Sequence, residues 1–119
     1  MSATREALKT AYIRKAKRAC LEHALQNRFV TIDDVREAVP FPDLLNPKIN
    51  GEVMDYFRRL HYLIGESHEK SRRRVAHKRP ITLWRLTNAP EAREWLRDHP
   101  DIPWPEDAKV EGPQLTLFD

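Results

Sequence analysis

Six of the ten residues from Lys70 to Arg79 are lysine or arginine, and none is acidic. Lys70, Arg72, Arg73, Arg74, Lys78 and Arg79 concentrate positive charge in a stretch without apolar clusters. Such a run repels itself unless a polyanion neutralises it. Duplex DNA suits it, because closely spaced phosphates release counterions when lysine and arginine bind. Arginine adds bidentate phosphate contact and fits a narrow minor groove. The plain alternative is a solvated loop tip.

Other chemistry-bearing residues form no set. The five histidines include His61, His68 and His77 near the same stretch, but no cysteine or carboxylate stands at metal-ligand spacing. Cys20 is the only cysteine and lies in an apolar helical context, so it reads as a small buried hydrophobe. No glycine-rich phosphate loop and no nucleophile motif is present, and the chain holds only three glycines. The expectation is a protein that is not an enzyme and has no cofactor and no metal.

The totals place these residues in one modest domain with extra length. The chain has 119 residues and a net charge of +3, spread unevenly. Residues 1–88 carry 18 Lys and Arg against 10 Asp and Glu, or +8, and residues 89–119 carry 3 against 8, or −5. A basic body thus precedes an acidic tail. No stretch approaches the roughly 20 apolar residues of a membrane span. The N-terminus lacks the apolar core of a secretory signal. A cytoplasmic, nucleoid-associated location is expected.

Periodicity supplies the elements. Residues 4–26 read as a long helix, with Leu8, Tyr12, Ala16, Ala19 and Cys20 on one side and Arg14, Lys15, Lys17 and Arg18 on the other. Arg28 to Thr31 is a short extended piece, and Thr31-Ile32-Asp33-Asp34 opens a capped second helix that Pro40 ends. Asn46-Pro47 predicts the start of a third helix running to about Leu60, with Ile49, Val53, Tyr56, Phe57 and Leu60 facing inward. Residues 62–66 and 81–87 read as two strands of an antiparallel hairpin enclosing the basic run. Glu91 to His99 reads as a short helix. From Pro100 onward, prolines space an acidic stretch expected to be extended and poorly self-packed.

The order helix, strand, helix, helix, strand, basic loop, strand resembles the winged helix-turn-helix family. Phe29-Val30-Thr31-Ile32-Asp33-Asp34-Val35, the Asn46-Pro47 helix, and Tyr62-Leu63-Ile64-Gly65 with Ile81 to Thr87 carry the resemblance over residues 4–87. The closing Trp84-Arg85-Leu86-Thr87 is similar to the last strand of many small bacterial and phage members. The fold class expected is therefore mainly α with a small β-hairpin: three helices plus a wing, a short extra helix and an extended tail. The resemblance implies that the third helix lies in a DNA major groove and that the wing touches phosphates or the neighbouring minor groove. On that helix Lys48, Arg58 and Arg59 suit phosphate or guanine, and Asn50, on its flank, suits adenine. Glu52 and Asp55 share the outer region and oppose the backbone, and Asp55 stands four residues from Arg59, the spacing of a surface ion pair.

The sequence closes on Gln114-Leu115-Thr116-Leu117-Phe118-Asp119, an apolar cluster after an acidic stretch. It resembles the bacterial sliding-clamp-binding peptide, Gln-Leu-Ser/Asp-Leu-Phe, with Thr116 in place of Ser or Asp. The resemblance implies that Gln114 hydrogen-bonds at the clamp pocket rim, Leu115 packs beside it, and Leu117 and Phe118 fill the pocket. Packing on the protein's own body and binding of another partner stay open. The division expected is residues 1–88 as the winged-helix domain, 89–99 as a short helix, and 100–119 as an acidic linker ending in the peptide. The expected partners are double-stranded DNA and the sliding clamp, with no membrane. The function expected is a DNA-binding accessory protein of bacterial or phage replication or repair. The alternative is a transcriptional regulator or replication initiator whose tail packs on its own body or mediates dimerisation.

Overall fold

The structure is a computed structural model that describes residues 2–70 and 80–106. Within them, four helices and three strands follow in the order α1 (Ser2–Asn27), β1 (Phe29–Val30), α2 (Ile32–Ala38), α3 (Ile49–Arg59), β2 (Leu63–Lys70), β3 (Pro80–Leu86) and α4 (Ala89–Asp98). The fold is mostly helical, with one small antiparallel sheet.

Helix α1 is the axis of the core. Leu8, Tyr12, Ala16, Cys20 and Ala24 recur every four residues and are fully buried, as are Ala11 and Leu21 beside them. The small residues in this stripe let neighbours approach closely. Helices α2, α3 and α4 and strand β1 all pack against α1. The chain leaves α1 through Arg28, whose φ of 73° turns it into β1.

Thr31 starts α2 as its sequence demands. Its hydroxyl accepts from the Asp34 N–H at 3.3 Å, and the Asp34 carboxylate accepts from the Thr31 N–H at 2.8 Å. Two of the N–H groups that a helix start leaves unpaired are thereby satisfied.

Helix α3 begins two residues later than the Asn46-Pro47 signal predicts. The Asn46 side chain does cap, accepting from the Lys48 N–H at 2.9 Å. The bonds it precedes are tighter i to i+3 contacts, from Ile49 to Asn46 and from Asn50 to Pro47, so a short 3₁₀ lead-in comes before the α-helix. At the other end the Tyr62 N–H reaches the Phe57 carbonyl and the His61 N–H reaches the Arg58 carbonyl. This pair of bonds is a Schellman closure, with His61 in the left-handed position at φ 63°.

The sheet holds one strand more than a hairpin. Strand β3 lies in the middle, pairing with β2 from Leu63↔Leu86 to Lys70↔Pro80 and with β1 at Phe29↔Arg85 and Val30↔Trp84. Pro80 is tolerated because it is the first residue of β3, beyond the reach of β1. The pairing slips between Gly65 and Ser67. A Cβ at Gly65 would stand 3.3 Å from the Thr82 methyl and 3.7 Å from the Trp84 ring, so a larger residue there would push the Thr82 side chain aside by a few tenths of an ångström.

Helix α4 belongs to the core and is not an appendage. It starts at Ala89, two residues before the expected Glu91, because the Asn88 side chain caps it by accepting from the Glu91 N–H. Ala92 and Trp95 are buried in the same cluster as Tyr12, Val53 and Phe57. The Trp95 ring meets Phe57 edge-on at 5.4 Å and stacks on His99 at 4.1 Å.

Residues 100–104 depart from the expected unpacked leash. The Arg14 guanidinium donates to the Pro100 carbonyl at 2.6 Å, and Lys15 pairs with Asp101 at 3.0 Å. Trp104 packs against the core cluster, with the Lys15 ammonium 5.1 Å from its ring centre. The basic face of α1 holds this acidic, aromatic stretch, which half-buries Trp104 and matches charge at once.

Candidate nucleic-acid interface

The side chains expected to meet nucleic acid from α3 divide into two groups. Lys48, Arg58 and Arg59 are exposed. Asn50 is not: only 2% of it meets solvent, and the Tyr12 hydroxyl donates to its Oδ1 inside the core. The expectation that Asn50 reads adenine is therefore corrected. Asn50 stands three and seven residues before Val53 and Phe57, which places it on the buried stripe of α3. Its Nδ2 has no hydrogen-bond partner among the described residues.

The two arginines at the end of α3 share one carboxylate. Arg58 donates to Asp55 Oδ1, with Nε at 2.8 Å and a terminal nitrogen at 2.6 Å. Arg59 donates to Asp55 Oδ2, with both nitrogens at 2.7 Å. These hydrogen bonds, Arg58's first, hold the Asp55 carboxyl below its usual range. The spacing i to i+4 gave the Arg59 pair from sequence. The i to i+3 bond to Arg58 is the added finding. Glu52 lies exposed one turn earlier.

At the start of α3 the fold adds charges that no local pattern gave. Arg5 and Lys9 from α1 line one cleft with Lys48, together with Glu6 and Glu52. More than thirty residues separate the α1 and α3 members in sequence. The only local sign was that Arg5 and Lys9 stand four apart on one helix face.

The other basic residues of α1 are used internally. One terminal nitrogen of Arg18 donates to both the Leu96 and His99 carbonyls at 2.7 Å, closing the C-terminal end of α4. The Lys17 ammonium sits 3.5 Å from the Tyr56 ring centre. Burial, helped by the charge of Arg14, lowers the Lys17 pKa. In the sheet, Arg85 pairs with Glu66 at 3.1 Å.

The backbone of Lys70 closes β2 opposite Pro80. Arg72, Arg73, Arg74, Lys78 and Arg79 lie outside the described residues, as do Gln114, Leu115, Thr116, Leu117 and Phe118. Residues 71–79 therefore link two paired strand ends, which is where the hairpin reading put the basic run.

Cys20 is buried, with its sulfur 3.8 Å from that of Met54, and burial pushes its thiol pKa up. It is packing material and not an activated nucleophile. Among the described residues no three His, Cys, Asp or Glu side chains converge as a metal site, and no helix is long and apolar enough to cross a membrane. Comparison with protein-family models, with curated proteins and with solved structures yields no match to this chain.

Proposed function

We propose that the chain is a DNA-binding accessory protein of the winged helix-turn-helix type that docks on a bacterial sliding clamp through Gln114 to Phe118. The observation that carries the first half is the placement of the basic run. It connects β2 to β3 in a chain ordered α1-β1-α2-α3-β2-β3, where a winged helix carries its wing. The wing supplies phosphate contact through Lys70, Arg72, Arg73, Arg74, Lys78 and Arg79, without choice of sequence. Helix α3 offers Lys48 to the duplex, with Arg5 and Lys9 beside it in the shared cleft.

The second half rests on the peptide pattern. Docking of residues 100–104 on α1 shortens the leash. From Pro105 to Pro113 it has nine residues, at most about 30 Å when extended. That still joins the body to a clamp encircling the same duplex, and two weak contacts then reinforce each other through effective concentration.

The deciding experiment measures binding to duplex DNA and to purified clamp separately. Deleting Gln114 to Asp119 is expected to abolish clamp binding and to spare DNA binding. Changing Arg72, Arg73 and Arg74 to Ala is expected to weaken DNA binding, flatten its salt dependence and leave clamp binding intact. Unchanged clamp affinity after the deletion refutes the docking role, and unchanged DNA affinity in the triple variant refutes the wing.

The docked stretch from Pro100 to Trp104 favours a second reading, in which the peptide also packs on the body and the protein is a regulator or initiator. That reading requires that purified clamp fail to bind the full chain.

A further inference from the structure

Arg58 and Arg59 are the only arginines on α3, and in the structure both guanidiniums face one carboxylate and not open solvent alone. Each presents its Nε edge to a separate oxygen of Asp55, so the acid is saturated by four N–H···O contacts from two side chains. The same edge is the one an arginine offers to a phosphate or to a guanine. All three residues stand on one rigid helix, so no loop movement is needed to form or keep the arrangement.

Resting on the proposed DNA-binding role, we infer that Asp55 is a specificity-determining residue: it withholds Arg58 and Arg59 from the phosphate backbone, so that α3 does not grip DNA indiscriminately. Two cations and one anion leave a local charge of +1, set beside the further negative charge of Glu52. A phosphate approaching either guanidinium meets the Asp55 carboxylate at the same time. The pair is partly solvated and weak in absolute terms. It needs only to compete with an equally solvated phosphate contact, and it has the advantage of being intramolecular.

Removing the acid frees both arginines for phosphate. Each new phosphate contact steepens the dependence of log affinity on log salt by about 0.9. Asp55→Ala is therefore expected to steepen that slope by about 1.8 and to raise affinity for random-sequence duplex roughly tenfold near physiological salt. Asp55→Glu keeps the carboxylate and is expected to stay near the wild type. Asp43→Ala removes the same unit of charge from an exposed position that lines neither the Lys48 cleft nor the Asp55 cluster, and is expected to leave the slope within about 0.5 of wild type. A second readout needs no DNA: the Nε–H signals of Arg58 and Arg59 in NMR are expected to be protected from solvent exchange in the wild type and unprotected in Asp55→Ala.

The inference is overturned if those signals are unprotected in the wild type, or if Asp55→Ala and Asp43→Ala change the salt slope equally. It is also overturned if Asp55→Ala weakens binding, which would make the acid a support for the arginines. The two binding outcomes leave the DNA-binding reading standing, since the wild type binds in both, and the exchange outcome does not touch that reading. If neither the wild type nor Asp55→Ala binds duplex, both the reading and the inference fall. Binding by Asp55→Ala alone supports the inference.

Discussion

Replacing Tyr12 by Phe removes one oxygen atom from the middle of the core. Tyr12 is fully buried, packs edge-on against Phe41 at 5.1 Å, and gives its hydroxyl proton to Asn50. The Asn50 amide nitrogen has no partner among the described residues, so this hydroxyl is the one hydrogen bond that the side chain shows. Phe keeps the ring contacts and leaves the whole amide buried and unpaired. A buried polar group stranded in this way costs about 1–3 kcal/mol. With a urea m-value of about 2 kcal/mol/M, the unfolding midpoint is expected to fall by about 1 M. Pairing Tyr12→Phe with Asn50→Leu removes both polar groups and is expected to recover most of the loss, because replacing both partners by apolar atoms is nearly neutral.

The same hydroxyl supplies a pH signature. Burial, partly opposed by the charge of Arg36, pushes the Tyr12 pKa up to about 12. The unfolded chain ionises near the ordinary value of about 10. The folded state thus holds its proton longer, and the stability tied to that proton is whole below about pH 10 and drains between about pH 10 and 12. The loss amounts to about 3 kcal/mol. Tyr12→Phe has no proton to lose there. Its deficit against the wild type at neutral pH is expected to narrow above about pH 10 and to close before about pH 12. Urea unfolding at a series of pH values reads both effects. An unchanged midpoint for Tyr12→Phe at neutral pH refutes the argument. So does Asn50→Leu that folds as well as the wild type but loses duplex binding, since that returns Asn50 to the role of a base reader.

Arg18→Ala removes two hydrogen bonds to the carbonyls that end α4, along with a cation at the negative end of that helix, and is expected to cost about 1–2 kcal/mol, read as a lower thermal midpoint and faster amide exchange in α4. His61→Gly relieves a left-handed residue at the Schellman position of α3 and is expected to stabilise the fold by up to about 1 kcal/mol in urea unfolding, with the Thr87 hydroxyl still bonded to the residue 61 carbonyl.

Pairings between near neighbours are largely legible in the sequence, and pairings between distant elements are not. The capping box at Thr31 needs only four neighbouring residues, and both its bonds form as the sequence implies. Asp55 and Arg59 were legible for the same reason. Asn50 has the polar type of a base reader but the position of a core residue, and the position decides. Its spacing to Val53 and Phe57 put it on the inner stripe, and the Tyr12 hydroxyl that makes burial tolerable comes from another helix. The prolines and the acid of residues 100–104 suggest a free stretch, yet these residues dock. Trp104 and Ile102 within them are too apolar for a free leash, and the basic face of α1 that receives them lies more than eighty residues away. The pairing of β1 with β3 spans more than fifty residues, so the sequence shows the two-residue strand only as an extended piece.

Charge pairing also changes what the parts of the surface contribute. The described body keeps much of its positive charge in intramolecular contacts: Arg58 and Arg59 on Asp55, Arg85 on Glu66, Arg97 on Asp98, Lys15 on Asp101, and Arg18 on the α4 carbonyls and Glu22. A phosphate gains little from a cation that must first leave a carboxylate, because one ion pair is exchanged for another. The run from Lys70 to Arg79 contains no acid of its own, and its density of charge is what counterion release rewards. Under the proposed function, affinity for DNA therefore belongs mainly to that run, and α3 contributes fit more than grip. On that proposal, a third helix held back in this way depends on something else to bring the protein to its place on DNA, and Gln114 to Phe118 is the segment whose chemistry suits that task.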